Sequence, residues 1–250
     1  MKEQRDKLLL ESFLAVSEAA RESMEERWAA YDEACKPVTE KLQRLGLAVT
    51  GIDESFNPYL PLSPEVVEVL LESLPEMQNW HVVEWMARYI GTATQPYDGR
   101  PLADAFDKCP NHHPKWAIGD AFSRSKPLYI EEWLVRTLKN SEHGAARQML
   151  CFTATRLLPP EVANDALMAC FDDVPGHAGG ALRKTGGQRE LEFLRERCER
   201  QQELEITRSK VGRWTRWQAK TVQKAIAGIE KRLEKQAAKA KSGRANNVKR

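Results

Sequence analysis

Apolar residues recur at helical spacing along most of this chain, yet beyond residue 60 a Pro, Gly or Asn-bearing break cuts the pattern before any helix grows long. A run of short amphipathic helices cannot bury its apolar stripes one by one, so each must pack on the next. Residues 3–45 carry Leu9, Phe13, Val16, Ala20, Met24, Trp28 and Tyr31 at this spacing and pause near Pro37 and Gly46, which predicts a helical arm over 1–46, bent at Pro37. In "NPYLPLSPEVVEVLLESLPEM", Ser63 is the expected N-cap, Pro64 the first helical residue and Glu65 the first-turn acid. Val66, Val69, Leu70 and Leu74 then form the apolar face. Further helices are predicted over 79–91, 99–108, 114–124, 128–139, 143–158, 160–171, 175–185, 187–203 and 212–233. Almost nothing reads as a strand, so the fold class is all-α.

The regular helix lengths predict a repeat. "HHPKWAIGDAFSRS", "EHGAARQMLCFTATRL" and "DVPGHAGGALRKTG" align so that Ala121, Thr153 and Ala181 fall at equivalent places, 32 and 28 residues apart. A small side chain there lets the second helix of one pair approach the next closely. Trp133, Leu134, Leu138 and Val162, Leu167, Phe171, on the intervening helices, are expected as the facing layer. At these residues the chain resembles the bacterial HEAT-repeat proteins. The resemblance covers about residues 60–230 and is carried by "LPEMQNWHVVEWMARYIG", "KWAIGDAF", "GAARQMLCFTATRL", "FDDVPGHAGGALRKTG" and "RWTRWQAKTVQKAI". It departs from the family at Thr153, Thr155 and Thr185, and in the long connection "CERQQELEITRSKVGRW". The resemblance implies a right-handed α-solenoid of HEAT-like helix pairs, here with an N-terminal helical arm. It also implies use as a protein-binding surface or scaffold, without an inherent catalytic centre.

Arg88, Trp116, Arg147, His177 and Arg216 recur in the second helices of successive pairs, with spacings of 28, 31, 30 and 39 residues, and are the candidate partner-binding residues. Large polar and aromatic groups of this kind are enriched at interface hot spots. The competing reading has the arginines bridging repeats to loop carbonyls or acids, with Trp116 filling a gap. His177 follows the Pro175-Gly176 break, and packing or capping outweighs a metal or catalytic role, because neither H-x-x-x-H nor H-E-x-x-H occurs. His112 and His113 are adjacent in a Pro-flanked turn and diverge. G-x-S-x-G, Walker A and G-x-G-x-x-G are all missing, and Asp172-Asp173 reads as a solvated turn. No catalytic residue, metal ligand or cofactor is expected.

Charge is segregated. Residues 207–250 hold 14 Lys+Arg and 2 Asp+Glu, a net of +12, leaving 24 Lys+Arg and 34 Asp+Glu, a net of −10, for residues 1–206. Residues 231–250 are expected to fray into a basic, solvated tail. The alternative to a protein partner is nucleic acid, bound by Arg213, Trp214, Arg216, Trp217 and Lys220 through phosphate contacts and base stacking. Its sharpest form is base excision, by a faint likeness of "RWTRWQAKTVQKA" to HEAT-like DNA glycosylases. An acidic solenoid also suits an immunity-like role against a basic toxin, and the stripe of Leu9, Phe13, Val16 and Ala20 suits a homodimer through the arm. Five scattered cysteines without C-x-x-C, no signal-peptide pattern and no long uncharged apolar run place the chain in the cytoplasm, away from membranes.

Overall fold

The structure is a computed structural model that describes residues 24–52, 61–206 and 214–247, and these are overwhelmingly helical. Helix α1 covers 24–44. It is followed by α2 (Pro64–Ser73), α3 (Trp80–Ile90), α4 (Arg100–Lys108), α5 (His112–Arg124), α6 (Glu131–Lys139), α7 (Leu150–Leu157), α8 (Pro160–Ala169), α9 (Pro175–Thr185), α10 (Gln188–Ile206) and α11 (Arg216–Asn247). Local chemistry sets the starts. At α2 the Ser63 hydroxyl accepts the Val66 N–H at 3.5 Å, Pro64 occupies the first turn, and the bond to Ser63 holds the Glu65 carboxyl below its ordinary range. Among the described residues no helix is long and apolar enough to cross a membrane.

Consecutive helices pack as pairs, α2 with α3 through α10 with α11, and the pairs lie in two rows. In one row α3 packs on α5, α5 on α7, α7 on α9 and α9 on α11; in the other α2 packs on α4, α6 on α8 and α8 on α10. Two equivalent loops touch as well: Tyr97–Asp98 and Pro127–Leu128 form a short parallel ladder, pairing Tyr97 with Pro127 and Asp98 with Leu128. The core runs between the rows. Ala121, Thr153 and Ala181 are each 0% exposed, as the sequence alignment requires of a close helix approach. The Thr153 hydroxyl has no hydrogen-bond partner there, so it packs as a small side chain at the cost of a buried polar atom. Leu134, Leu138, Leu167 and Phe171 are fully buried and Trp133 nearly so. Val162 is not part of this layer: it lies in the first turn of α8 and is 40% exposed, while Ala163, Ala166 and Leu167 make the buried face.

Successive helices of the α3–α11 row are also tied through their ends. Arg124 in α5 donates to the Arg88 carbonyl of α3 at 3.4 Å, and Arg156 in α7 donates to the Phe122 carbonyl of α5. Arg232 in α11 donates to the Arg183 carbonyl at 2.8 Å and the Lys184 carbonyl at 3.0 Å, both in the last turn of α9, and to Gly186. Last-turn carbonyls have no intrahelical donor and carry the negative end of the helix dipole, so a guanidinium from the next helix satisfies both.

Three segments differ from expectation. Helix α1 continues across Pro37, because Tyr31, Cys35, Val38 and Leu42 on both sides of it are buried against the body. The segment predicted as one helix over 143–158 is a 3₁₀ segment, Ser141–Arg147, followed by α7. Gly144 at φ 47° and ψ −131° makes the break, a left-handed position that favours glycine. Helix α11 extends to Asn247, into the stretch expected to fray: its Lys, Ala, Gln and Glu residues favour helix, and Val222, Ala225 and Ile229 anchor it. The arm residues Leu9, Phe13, Val16 and Ala20, and Arg213, lie outside the described residues.

Candidate functional site

The second helix of each pair turns a half-buried face to one side, and the large residues on these faces form a stripe across the row. On α3, Trp85 stacks on Tyr89 with centroids 5.9 Å apart, and the Arg88 guanidinium lies 5.9 Å from the Trp85 ring. The same guanidinium lies 5.8 Å from the Trp116 ring on α5, held there by Glu84 at 3.2 and 2.5 Å. Gly119, one turn beyond Trp116, packs against Met149 beside α7. Phe152 on α7 meets the His177 ring of α9 at 5.9 Å, and His177 meets Trp217 of α11 at 5.1 Å. Lys184 lies 5.7 Å over Phe152. Trp217 is 54% exposed, and its inner face rests on Gly176 so closely that no Cβ would fit.

The two sets of candidate residues therefore meet. His177, singled out for partner binding, touches Trp217, singled out for nucleic acid, although they are 40 residues apart in sequence. Arg216 and Lys220 are exposed beside Trp217, whereas Trp214 turns inward against Phe171 at 5.7 Å. Arg147 does not belong to the stripe. It is 0% exposed, donates to the Leu138 carbonyl at 2.6 Å and the Gly144 carbonyl at 3.1 Å, and pairs with Asp173. Its guanidinium fork fastens the break before α7 to the turn before α9, which is the bridging role weighed against partner contact. Arg88 and Trp116 share both roles, since they bridge α3 to α5 and remain partly exposed.

His177 is a packing residue in this setting. Its ring lies between two aromatic rings, and among the described residues no carboxylate bonds either nitrogen. Burial pulls its pKa below the ordinary 6.5, so the folded ring is neutral at pH 7. The unfolded chain then takes up the proton at higher pH than the folded chain does. Stability from this group is full above the ordinary value and falls as pH drops through it. In His177→Phe, which keeps the ring contact, the loss of melting temperature between about pH 7.5 and 5.5 is expected to shrink. An unchanged loss would place the titration elsewhere. His143 keeps a residual slope of the same sign, because burial first and Lys115 second also hold it low.

His143 belongs to a polar cluster that no sequence spacing marks. Its Nδ1 lies 3.1 Å from Lys115 Nζ and its ring packs on Phe106, while Asp107 accepts from Trp133 Nε1 and Arg136, each at 3.1 Å. These bonds join α4, α5, α6 and the 3₁₀ segment. A cavity of about 450 Å³ lies between α2 and the α3–α4 loop, lined by Val67, Leu71, Ala93 and Tyr97. At its edge the Asp98 carboxyl is held below its ordinary range by Arg100, which suits an ion pair rather than a proton donor. Among the described residues no group of three or more His, Cys, Asp or Glu is arranged to hold a metal ion. The five cysteines are free thiols. No family model, curated protein or solved structure matches the chain.

Proposed function

We propose that the chain is a right-handed α-solenoid of HEAT-like helix pairs that acts as a non-enzymatic binding module, engaging a partner protein along the second-helix row. The carrying observation is the stripe of half-buried Trp85, Arg88, Trp116, Phe152 and His177 ending at exposed Trp217, with Arg88 packed on Trp85 and Trp116, and His177 packed between Phe152 and Trp217. Rigid aromatics and arginine give much contact area for little lost side-chain freedom, which is the chemistry of an interface anchor. The two-row stacking and the arginine caps on last-turn carbonyls support the solenoid reading. The net −10 of residues 1–206 suits a basic partner, as an immunity-like role requires, and five free thiols suit the cytoplasm. A homodimer through the arm is supported by Met24 and Trp28, two large apolar side chains at the start of α1 that are each about half exposed.

The test is capture of partners from native lysate by the tagged chain, with nuclease present, compared with a Trp116→Ala/Phe152→Ala variant of unchanged helicity. A stoichiometric protein lost only from the variant supports the reading, and equal capture by both sinks it. The nucleic-acid reading has its own support in the basic α11 with exposed Trp217. Its base-excision form further needs a carboxylate beside the bound base, and among the described residues none hydrogen-bonds His177 or the Trp217 indole.

A further inference from the structure

Arg216, Lys220, Lys224, Lys231 and Lys235 are all exposed on α11 and are spaced by four or seven residues, so they follow one side of the helix. The stripe is about 28 Å long at 1.5 Å per residue, and exposed Lys239 extends it. None of the first five pairs with an acid among the described residues. The helix holds two acids: Glu230 is taken by Arg195 of α10 at 2.7 Å, and Glu234, exposed between Lys231 and Lys235, offsets one of the five positive charges on this side. The opposite side of α11 is already used: Val222, Ala225 and Ile229 are fully buried in the body. Beyond Leu233 the described side chains are Glu, Lys, Gln and Ala, with no large apolar group to enter a bilayer. From Arg216 to Lys235 this side carries five cations and one acid, a net of +4, and a row of that charge on one helix fits a ligand with regularly repeated negative charge. At the start of the row Trp217 offers an exposed ring face flanked by Arg216 and Lys220, with its other face fixed on Gly176 and His177.

We infer that this outer side of α11 binds single-stranded nucleic acid, its phosphates along the Arg216–Lys235 stripe and one base stacked on Trp217. Stacking needs an unpaired base, which selects single strands over duplex, and the lack of base-edge readers makes binding sequence-tolerant. The site is separate from the protein-binding stripe, meeting it only at Trp217.

The probe is a fluorescein-labelled oligothymidylate titrated with the full chain at several salt concentrations. Five phosphate contacts predict roughly a hundredfold loss of affinity between 50 and 200 mM salt. Lys220→Gln/Lys224→Gln/Lys231→Gln should weaken binding and reduce the salt slope by about two, while Trp217→Ala should weaken binding about tenfold. Trp116→Ala/Phe152→Ala should leave oligonucleotide binding intact, and the lysine variant should leave protein capture intact, so each reading fails separately. The inference is overturned by an unchanged slope in the lysine variant, by tighter binding of a duplex of the same length, or by polyglutamate competing as well as the oligonucleotide. Circular dichroism of each variant must match the parent, and Lys→Arg at the same three positions must restore binding.

Discussion

Arg147→Ala is expected to destabilise the fold by about 3 kcal/mol, read as a fall in the urea midpoint at unchanged slope. The guanidinium satisfies the Leu138 and Gly144 carbonyls and the Asp173 carboxylate at once, and it is completely buried. Alanine strands the carbonyls, opens a cavity, and leaves the break at Gly144 without the fork that holds it. Arg147→Lys should recover only part of the loss, since one ammonium cannot span the planar fork. Asp173→Asn should cost much less, because that carboxylate is 43% exposed and water replaces part of the pair. If Arg147→Ala instead kept its stability and lost only partner capture, the buried bridging role would be wrong and the interface role restored.

Arg147 also shows how far the sequence could be read. The spacing of Arg147 from Trp116 and His177 is legible in the sequence, but two acceptors of that arginine are main-chain carbonyls that leave no mark on residue identity. For the same reason nothing in the sequence marks Arg124, Arg156 and Arg232, the arginines that link successive second helices through main-chain carbonyls. The small residues were legible because close helix approach restricts side-chain volume directly: Ala121, Thr153 and Ala181 are all at buried crossings. Trp217 and His177 were each conspicuous alone, and only the stacking of α9 on α11 brings them together. The expected fraying from residue 231 gives way to helix because the Lys, Ala, Gln and Glu residues of that stretch favour it intrinsically.

The seam between α9 and α11 carries the other large effect, and two adjacent glycines separate its causes. A Cβ on Gly179 would stand 3.1 Å from Val222 Cγ2, 3.6 Å from Val222 Cα and 3.7 Å from Phe171, so α11 approaches α9 closely at this point. A Cβ on Gly180 would meet Thr221 at 3.6 Å and Phe152 at 3.8 Å, ordinary contacts on a half-buried face. Gly180→Ala should therefore be neutral or stabilising by up to about 1 kcal/mol, since helical glycine costs the unfolded-to-folded transition more than alanine. Gly179→Leu has no room: the helices must part, lifting Val222, Ala225 and Ile229 from their seat and pulling Arg232 from the last-turn carbonyls of α9. A loss of more than about 3 kcal/mol is expected, beyond typical overpacking because the backbone itself is displaced. Helices stacked in rows transmit such a loss mainly to the nearest neighbour. Hydrogen exchange should therefore quicken in α10 and α11 while the amides of α3 and α5 keep their protection. Uniform loss of protection across the chain would show instead that the rows unfold as one cooperative unit, and the quasi-one-dimensional description of the stack would fail.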